Sequence, residues 1–428
     1  MRKKSAGAAL AGVVRRHRPM YYIVLFMGLL LMLGLVVMYA LGPQRANVMN
    51  FTHGTNYSDT FFFHKQLVSV IISVVAFSVA AMVPYRWITE RRARQLFFVG
   101  LAACVLLVVC GAVLHLPFAS DTNGAYRWFY LGGIGSFQPS ELLKFGILVF
   151  IASFLARRYQ QGKINDLQET LIPLGIIMAV SMFVVVVLQK DLGTGISMVA
   201  IVLSILAVSG MEWKILAKIL AILGVAALVL TFSSPHRIER VMTFIQGDSH
   251  QTGEGADDTY HIQQARIAIG SGGLMGLGIG KSVQATGYLP EAINDSIFAI
   301  MGETFGFVGL VAILALFTAL LLCLLKVASR LADMRLRLMA AGVFGWVASH
   351  VVMNIASMTG VMPMTGISLP LLSYGGTSML FIAAALGLVF QLSAYTAHKP
   401  LMEGEGGGKD LGGRRRLGRT RNARSGRL

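Results

Sequence analysis

The sequence is poor in charge and in cysteine. Charged residues make up 13% of its 428 residues, against about 25% in soluble domains, and 55% are hydrophobic. This excludes a soluble globular protein and predicts an integral membrane protein with many spans. The three cysteines, Cys104, Cys110 and Cys323, lie in apolar runs, so neither a disulfide framework nor a zinc site is indicated. The first apolar run is as long as a full span and lacks a small-residue cleavage site, so no cleavable signal peptide is expected.

Acidic residues are scarce as well, with 20 against 37 basic residues and a net charge of +17. Much of the excess lies in two basic tails, 1–19 and 397–428, and the second is rich in Gly and Arg and is expected to be disordered. Basic residues beside a span more often fix its orientation and meet anionic lipid heads than bind nucleic acid. Membrane lipids are therefore expected partners, and nucleic acid is not.

Long apolar segments predict an all-α, polytopic membrane fold of about ten transmembrane helices. The predicted spans are 21–41, 67–83, 96–116, 142–156, 171–188, 192–208, 215–232, 297–325, 338–358 and 378–392. The fourth, sixth and tenth are shorter than the roughly 20 residues that cross a bilayer, so their helices are expected to extend at the ends.

Basic residues collect in alternate loops, which predicts the topology. The loops after spans two, four, six and eight carry Arg or Lys and are expected to be cytoplasmic, together with both termini. The remaining loops face outward, including the longest, 233–296. Within it, 247–258 is polar and expected to be mobile, and 260–270 has helical character.

Polar residues collect where the fourth span begins on the outer side. They are Arg127, Trp128, Gln138, Glu141 and Lys144. Lys144 lies just inside an apolar helix, three residues after Glu141, so a helix-start cap with a local ion pair explains both. An ionisable residue inside a span is also a functional candidate by default.

Two aspartates stand at the outer ends of other spans. Asp191 lies in the turn between spans five and six, and Asp295 lies where the long loop enters span eight, after Glu291. Each could simply cap a helix.

The long outer loop also holds a glycine-rich run. Residues 260–282 include Gln263 and Arg266 and end in Gly-Lys-Ser at 280–282. This is not a nucleotide-binding P-loop, because Met275 stands where the template needs glycine and the segment is expected outside the cell. The glycine amides could form a concave nest for a pyrophosphate oxygen, or the run could be a flexible hairpin.

The most specific pattern is the segment 354–378. A helix is expected to end near Thr359, and two Gly, two Pro and the turn Ser373-Tyr-Gly-Gly follow before apolar sequence resumes. Irregular backbone beside a bilayer is tolerated only where protein buries it or where it lines a wet cavity, although a plain loop is the alternative. The spacing resembles the signature of the SEDS family (shape, elongation, division and sporulation proteins).

The resemblance covers 20–396, taken as one transmembrane domain, and leaves out both tails. Residues 282–284 and 288–292 resemble the FtsW branch of the family more than the RodA branch. The chain departs from the family pattern at Lys190, Ile293, Asn294, Ser296, Thr304 and His350.

SEDS proteins are peptidoglycan glycosyltransferases, so the resemblance implies lipid II as substrate, polymerised with inversion. It makes Asp295 the catalytic residue, and a carboxylate suits the removal of a proton from a hydroxyl acceptor. The leaving pyrophosphate needs cationic or dipolar stabilisation, with or without Mg²⁺ or Mn²⁺, although no His or carboxylate cluster specifies a metal. The substrate-binding residues implied are Arg127, Trp128, Gln138, Glu141, Lys144, Asp191, Gln263, Arg266, Glu291 and Ser373.

The family also implies partners, namely a class B penicillin-binding transpeptidase and other divisome proteins at the division septum of the plasma membrane. Two other functions stay open. A lipid II flippase would need polar groups continuous through the membrane, whereas here they collect on one side. A non-catalytic division scaffold would fit the departures around Asp295.

Overall fold

The computed structural model describes residues 18–119, 124–130, 132, 135–232, 238 and 254–396. The C-terminal tail and nearly all of the N-terminal tail lie outside these residues, so what the sequence predicts for them stays a prediction. The polar stretch 247–258 is described from 254 onward, and that part is helical rather than mobile loop.

The described chain is almost entirely helical, as the sequence predicts. In chain order its helices are α1 (Tyr22–His53), α2 (Phe61–Met82), α3 (Glu90–Val108), α4 (Pro139–Gln160), α5 (Ile172–Met182), α6 (Leu192–Val208), α7 (Trp213–Phe232), α8 (Glu254–Ser271), α9 (Ile297–Arg330), α10 (Met334–Met358) and α11 (Gly376–Ser393). Wider π-helical turns continue α3 over Val109–Val113 and flank α5 at Leu167–Leu171 and Phe183–Leu188, and short 3-10 turns occur at Tyr85–Trp87 and Gln284–Thr286. Two short strands, β1 (Phe129–Tyr130) and β2 (Ser136–Phe137), form an antiparallel hairpin before α4.

Eight helices in the described part of the chain are long and apolar enough to cross a membrane: α1, α2, α3, α4, α5, α9, α10 and α11, with the π-helical turns included. Helix α6 is apolar but has 17 residues, and α7 has 20. The chain is therefore a multi-pass membrane protein, while the count of ten spans and the topology stay predictions.

The short predicted spans behave differently from one another. Helices α4 and α11 extend beyond the predicted segments 142–156 and 378–392, as expected. Helix α6 keeps the predicted bounds, so the expected extension is wrong there. The physical reason is that Asp191 caps its start and Gly210, with φ +81°, follows its end.

Helices α4, α10 and α11 form the centre of the bundle. In an 18-residue stretch of each of these helices 78%, 72% and 72% of the residues are buried, against 17% in a stretch of the same length in α2. A small residue lets the more exposed helix α2 approach this centre closely, since a Cβ atom on Gly387 of α11 would lie 2.3 Å from the Phe77 carbonyl oxygen of α2. The polar residues at the beginning of α4 and near the end of α10 are therefore held by the most buried helices of the bundle.

Helix α9 is not the single continuous span that the sequence predicts. Gly306 has φ +67° and ψ −168°, which breaks the helix into the segments 297–305 and 307–330. A left-handed φ of this kind is accessible to glycine at little cost. The residues that follow Asp295 thus form a separate short helix.

The glycine-rich run forms hydrogen bonds with backbone groups that lose their partners within the helix at this break. The amide of Leu277 donates to the Glu303 carbonyl over 2.9 Å, and the amide of Phe307 donates to the Gly273 carbonyl over 2.9 Å. The contact needs glycine, because a Cβ atom on Gly276 would lie 2.2 Å from the Thr304 carbonyl oxygen. The run is therefore a packing element of α9, with part of its amide groups bonded inside the protein.

Candidate active site

Asp295 lies in a loop that is held from two sides. Within the loop, the amides of Asn294 and Ser296 donate to the Glu291 carbonyl over 2.9 and 3.2 Å. From α10, the side-chain amide of Asn354 donates to the Asp295 carbonyl over 2.7 Å. From the 354–378 segment, the amide of Tyr374 donates to the Ile293 carbonyl over 2.8 Å. The segment that the sequence marks as specific therefore packs against the loop of Asp295.

The structure does not support the simple capping role for Asp295. Ser296 occupies the N-cap position of α9, and no side chain makes a cap hydrogen bond there. The carboxylate faces Gly366 instead, since a Cβ atom built on that glycine would lie 3.7 Å from Asp295 Oδ2. Gly366 has φ +68°, so a residue with a side chain would be strained at this position.

The surroundings of Asp295 disfavour its charged form. Burial, together with the negative charges of Glu291 and Asp191, raises the pKa of Asp295 to about 7. A carboxylate that titrates near neutral pH can accept a proton from a hydroxyl and release it again. Glu291 itself has φ +48°, an unfavourable conformation for a non-glycine residue that is often found at functional sites.

Asp191 caps α6, and it also connects α6 to α4. Its carboxylate accepts hydrogen bonds from the amide and the hydroxyl of Thr194 over 2.9 and 2.7 Å, which confirms the capping role. Gln138, at the N-cap of α4, donates a hydrogen bond from its side-chain amide to Asp191 Oδ2 over 3.2 Å. The beginnings of two helices thus meet next to Asp295.

Arg127 stabilises the turn that leads to Asp191. Its guanidinium donates to the carbonyls of Gln189 and Lys190 over 3.2 and 2.7 Å. Lys190 has φ +52°, which proline cannot adopt, so the departure from the family's usual proline reflects a different local backbone. The Lys190 side chain is exposed beside Gly124, which adds a cation to this edge of the site.

Glu141 and Lys144 form the ion pair that their spacing predicts. Lys144 Nζ lies 2.8 Å from Glu141 Oε1 and 3.1 Å from His350 Nε2, and both side chains of the pair are buried. The indole of Trp346 donates to the same His350 nitrogen over 3.2 Å. Because Lys and Trp can only donate, His350 Nε2 accepts from both, and the neutral ring carries its proton on Nδ1. The glutamine common in the family would also offer an acceptor here.

Other predicted site residues hold the site's backbone. Arg266, exposed on α8, donates to the carbonyls of Thr359 and Gly360 over 3.4 and 3.1 Å and so caps the end of α10. The Ser373 hydroxyl is buried and accepts from the Leu369 amide over 2.8 Å. Gln263 and Trp128 are half-buried on α8 and beside β1.

The structure thus brings some of the predicted residues together and places others apart. Asp295, Asp191, Glu291 and Gln138 lie around one region near Gly366. Lys144 and Glu141 are instead buried on α4, and Ser373 is buried in the turn before α11. Within the residues that the structure describes, no group of three or more His, Cys, Asp or Glu side chains could hold a metal ion. Carboxylates suit Mg²⁺ or Mn²⁺, but such an ion would need substrate phosphate or water for most of its ligands.

Two residues that hold the loop of Asp295 were not predicted from the sequence. Asn354 bonds to the Asp295 carbonyl, and His261 bonds to the Ser296 hydroxyl. A buried asparagine in an apolar helix is a signal that could have indicated Asn354. His261 lies on α8 with its Nε2 atom 2.6 Å from the Ser296 hydroxyl, and no local pattern links two residues 35 positions apart.

Comparison with known proteins agrees with this architecture. The sequence model of the FtsW/RodA/SpoVE family, which is described as a cell cycle protein family, matches residues 20–398. The chain belongs to this family. The SEDS resemblance is thereby confirmed.

Relatives in the family are similar over nearly their whole lengths. Stage V sporulation protein E of Bacillus subtilis is 33% identical over 387 residues, 90% of this chain and 99% of that protein. The probable peptidoglycan glycosyltransferase FtsW of Nitrosomonas europaea is 33% identical over 368 residues, 85% of this chain and 90% of that protein.

Solved structures show the same fold. One chain, from a peptidoglycan synthase complex in which polymerization and crosslinking are coordinated, has a TM-score of 0.65 at 25% identity and covers 88% of this chain and 97% of that one. RodA of Thermus thermophilus has a TM-score of 0.62 at 25% identity, with 89% and 98% covered. The described helices therefore form a RodA-like polytopic membrane fold.

Proposed function

We propose that this protein is a peptidoglycan glycosyltransferase that polymerises lipid II into glycan strands. The observation that carries the proposal is the carboxylate of Asp295, partly buried at the start of a broken membrane helix, with its pKa raised to about 7. Family membership supports it, because several relatives are named probable peptidoglycan glycosyltransferase FtsW.

In the proposed reaction, Asp295 removes the proton from the 4-hydroxyl of the acceptor sugar. The hydroxyl oxygen then attacks the anomeric carbon of the donor, whose bond to the pyrophosphate oxygen breaks. A β-1,4 bond forms with inversion, and undecaprenyl pyrophosphate leaves with the electron pair. General-base assistance of this kind typically contributes about 10²–10⁴-fold to a rate.

The leaving pyrophosphate would meet the cationic edge of the site. Lys190 lies on the turn before Asp191, the guanidinium of Arg127 contacts this turn, and the guanidinium of Arg266 on α8 contacts the end of α10. Fixed cations near a developing negative charge lower the barrier to its formation. Lys144 is bonded to Glu141 and His350, so its proposed contribution is to hold the beginning of α4, where Gln138 reaches Asp191.

The charges inside the described spans favour an enzyme over a flippase. Glu303 is buried, and its carboxylate accepts from the Ser282 hydroxyl and from the amides of Val283 and Gln284. Lys144 is similarly bonded to Glu141. These charges are bonded within the protein rather than arranged as a polar path across the membrane.

A groove on the surface supports the proposed transpeptidase partner. Side chains of α9 and α10, including Leu314, Leu321, Val352 and Ile355, line an apolar groove of about 420 Å³. One transmembrane helix of a class B penicillin-binding protein would fit an apolar surface of this kind. Leu314 is exposed and lines this groove, so it would contact such a helix. The proposed place of action is the division septum, in line with the FtsW-named relatives.

The direct test uses purified protein and fluorescently labelled lipid II. Products resolved on a gel should form a ladder of glycan strands, and they should disappear on digestion with a muramidase. Transfer of labelled lipid II across a vesicle membrane, without polymer, would indicate the flippase. Neither polymer nor transfer, with or without the partner transpeptidase, would indicate a scaffold.

A further inference from the structure

Helix α8 reaches the candidate site through a buried histidine. His261 is 9% exposed and Ser296, the residue after Asp295, is fully buried. His261 Nε2 lies 2.6 Å from the Ser296 hydroxyl oxygen. The same hydroxyl lies 2.8 Å from the Pro290 carbonyl oxygen.

The protons in this chain of hydrogen bonds can be assigned. A carbonyl oxygen only accepts, so the single hydroxyl proton of Ser296 is donated to Pro290. His261 Nε2 must then be the donor toward Ser296. Burial lowers the pKa of His261, so the ring is neutral with its proton on Nε2. The hydrogen bond therefore has one direction, from α8 to the loop of Asp295.

These contacts fix the loop at both ends. The Ser296 hydroxyl bonds to Pro290, and the Ser296 amide bonds to the Glu291 carbonyl over 3.2 Å. The loop is thereby closed on itself with Asp295 inside it, and the first amides of α9, from Ala299 and Ile300, bond to the Ser296 carbonyl. A shift of Ser296 would move Asp295 and the start of α9 together. Ser296 is also one of the positions where the chain departs from the family pattern, and His261 supplies its partner.

We propose that His261 is a positioning residue of the polymerisation reaction, which holds Ser296 and thereby directs the Asp295 carboxylate toward the acceptor hydroxyl. This rests on the proposed function of Asp295. His261 acts through Ser296 and touches no substrate. A misplacement of a reacting group by 1 Å can cost about 10²-fold in rate, so loss of this bond should reduce kcat and leave KM nearly unchanged.

Three substitutions of His261 separate positioning from packing. The amide nitrogen of glutamine can take the place of Nε2, whereas that of asparagine corresponds to Nδ1. His261→Gln should therefore keep at least half of kcat, and His261→Asn and His261→Leu should lose about tenfold or more. His64→Leu, which changes an exposed histidine of α2, is the matched control and should leave kcat unchanged.

A double-mutant cycle tests whether the two residues act as a unit. Ser296→Ala alone should lower kcat about as much as His261→Leu, and the double variant should be no slower than the slower single variant. Hydrogen exchange adds a measurement that needs no activity. The amides of Asn294 and Ser296 should exchange faster in His261→Leu and at the normal rate in His261→Gln.

The outcomes separate this proposal from the proposed function. If Asp295→Asn polymerises lipid II normally, Asp295 is not the base and the role of His261 fails with it, whereas absence of polymer from the unchanged protein would contradict the proposed function itself. If Asp295→Asn is inactive, then normal kcat in His261→Leu, equal losses in the Gln and Leu variants, or additive effects in the cycle would each overturn the role of His261. Should His261→Leu fail to fold, the role of His261 is still tested by comparing kcat of His261→Gln with that of His261→Asn, and by kcat of Ser296→Ala.

Discussion

The side-chain amide of Asn354 lies 2.7 Å from the backbone carbonyl oxygen of Asp295 and donates a hydrogen bond to it. The same amide donates to the Ile367 carbonyl over 2.8 Å. One buried side chain of α10 thus sets the distance between the loop of Asp295 and the segment that contains Gly366. The loop of Asp295 and the segment of Gly366 are therefore attached to the same rigid helix, which is the arrangement that a preorganised site needs.

Asp295→Asn should abolish glycan polymerisation, because the amide cannot take a proton from the acceptor hydroxyl. The rate should fall below about a tenth of normal, since general-base assistance is typically worth about 10²–10⁴-fold. The measurement is polymerisation of labelled lipid II by purified protein, with Asp59→Asn, an exposed aspartate, as the control. More than a tenth of the normal rate would contradict the role of base.

The same variant should remain folded. The pKa of Asp295 is raised in the folded protein, so the folded state binds this proton more tightly than the unfolded state. The stability that this proton gives is present at acidic pH and is lost as the pH rises through about 7. At pH values above this, Asp295→Asn should therefore unfold at a temperature at least as high as that of the unchanged protein.

Glu291→Gln should shift the pH dependence of polymerisation. The negative charge of Glu291 helps to raise the pKa of Asp295, after burial, so its removal should lower that pKa. The base is active when deprotonated, and the acidic limb of the kcat profile should move to lower pH. Glu212→Gln, an exposed glutamate that accepts from Asn165, should leave the limb in place. A shift toward higher pH would exclude this account of the site.

Gly272→Ala should destabilise the protein, because its new Cβ atom would lie 2.0 Å from the Gly302 carbonyl oxygen. Overpacking of this kind costs about 1–3 kcal/mol. Gly270→Ala offers a matched control two residues earlier on α8, where nothing lies within 4 Å of the added atom. Thermal unfolding in detergent compares the two, and equal midpoints would show that the glycine run is not packed against α9.

The termini should be cytoplasmic and the long loop that contains α8 should be extracellular, because basic residues collect in alternate loops. An impermeant thiol reagent applied to intact cells should label Gly255→Cys and leave Gly407→Cys unlabelled until the cells are opened. The three native cysteines could also react with the reagent, so both variants should be made in a version of the protein in which these cysteines are replaced. The reverse pattern of labelling would overturn the topology.

A single-span transpeptidase should cross-link to the groove between α9 and α10. Co-purification from native membranes, followed by cross-linking from Leu314→Cys in the groove, should capture it, whereas exposed Ile176→Cys on α5 should not. Addition of the captured protein should raise the polymerisation rate. An active polymerase with no such protein, and no rate increase when one is added, would count against the partner.

Much of the fold follows from local sequence. Long apolar runs predict most of the helices, and Gly and Pro after Thr359 mark the end of α10 correctly. The break at Gly306 was not predictable in this way, because the apolar sequence continues through it and glycine is common in membrane helices. The raised pKa of Asp295 and the bond from His261 to Ser296 depend on which helices pack together. Composition and spacing carry no information on such distant contacts.

The break in α9 connects the candidate site to the surrounding bilayer through the glycine-rich run. A membrane helix tilts when its hydrophobic length differs from the thickness of the surrounding lipid. The glycine-rich run is bonded to both segments of α9, because its backbone pairs with Glu303 and Thr304 before the break and with Phe307 and Val308 after it. Lipids with longer or shorter acyl chains would then act on the long segment, and through this run on the short helix that follows Asp295.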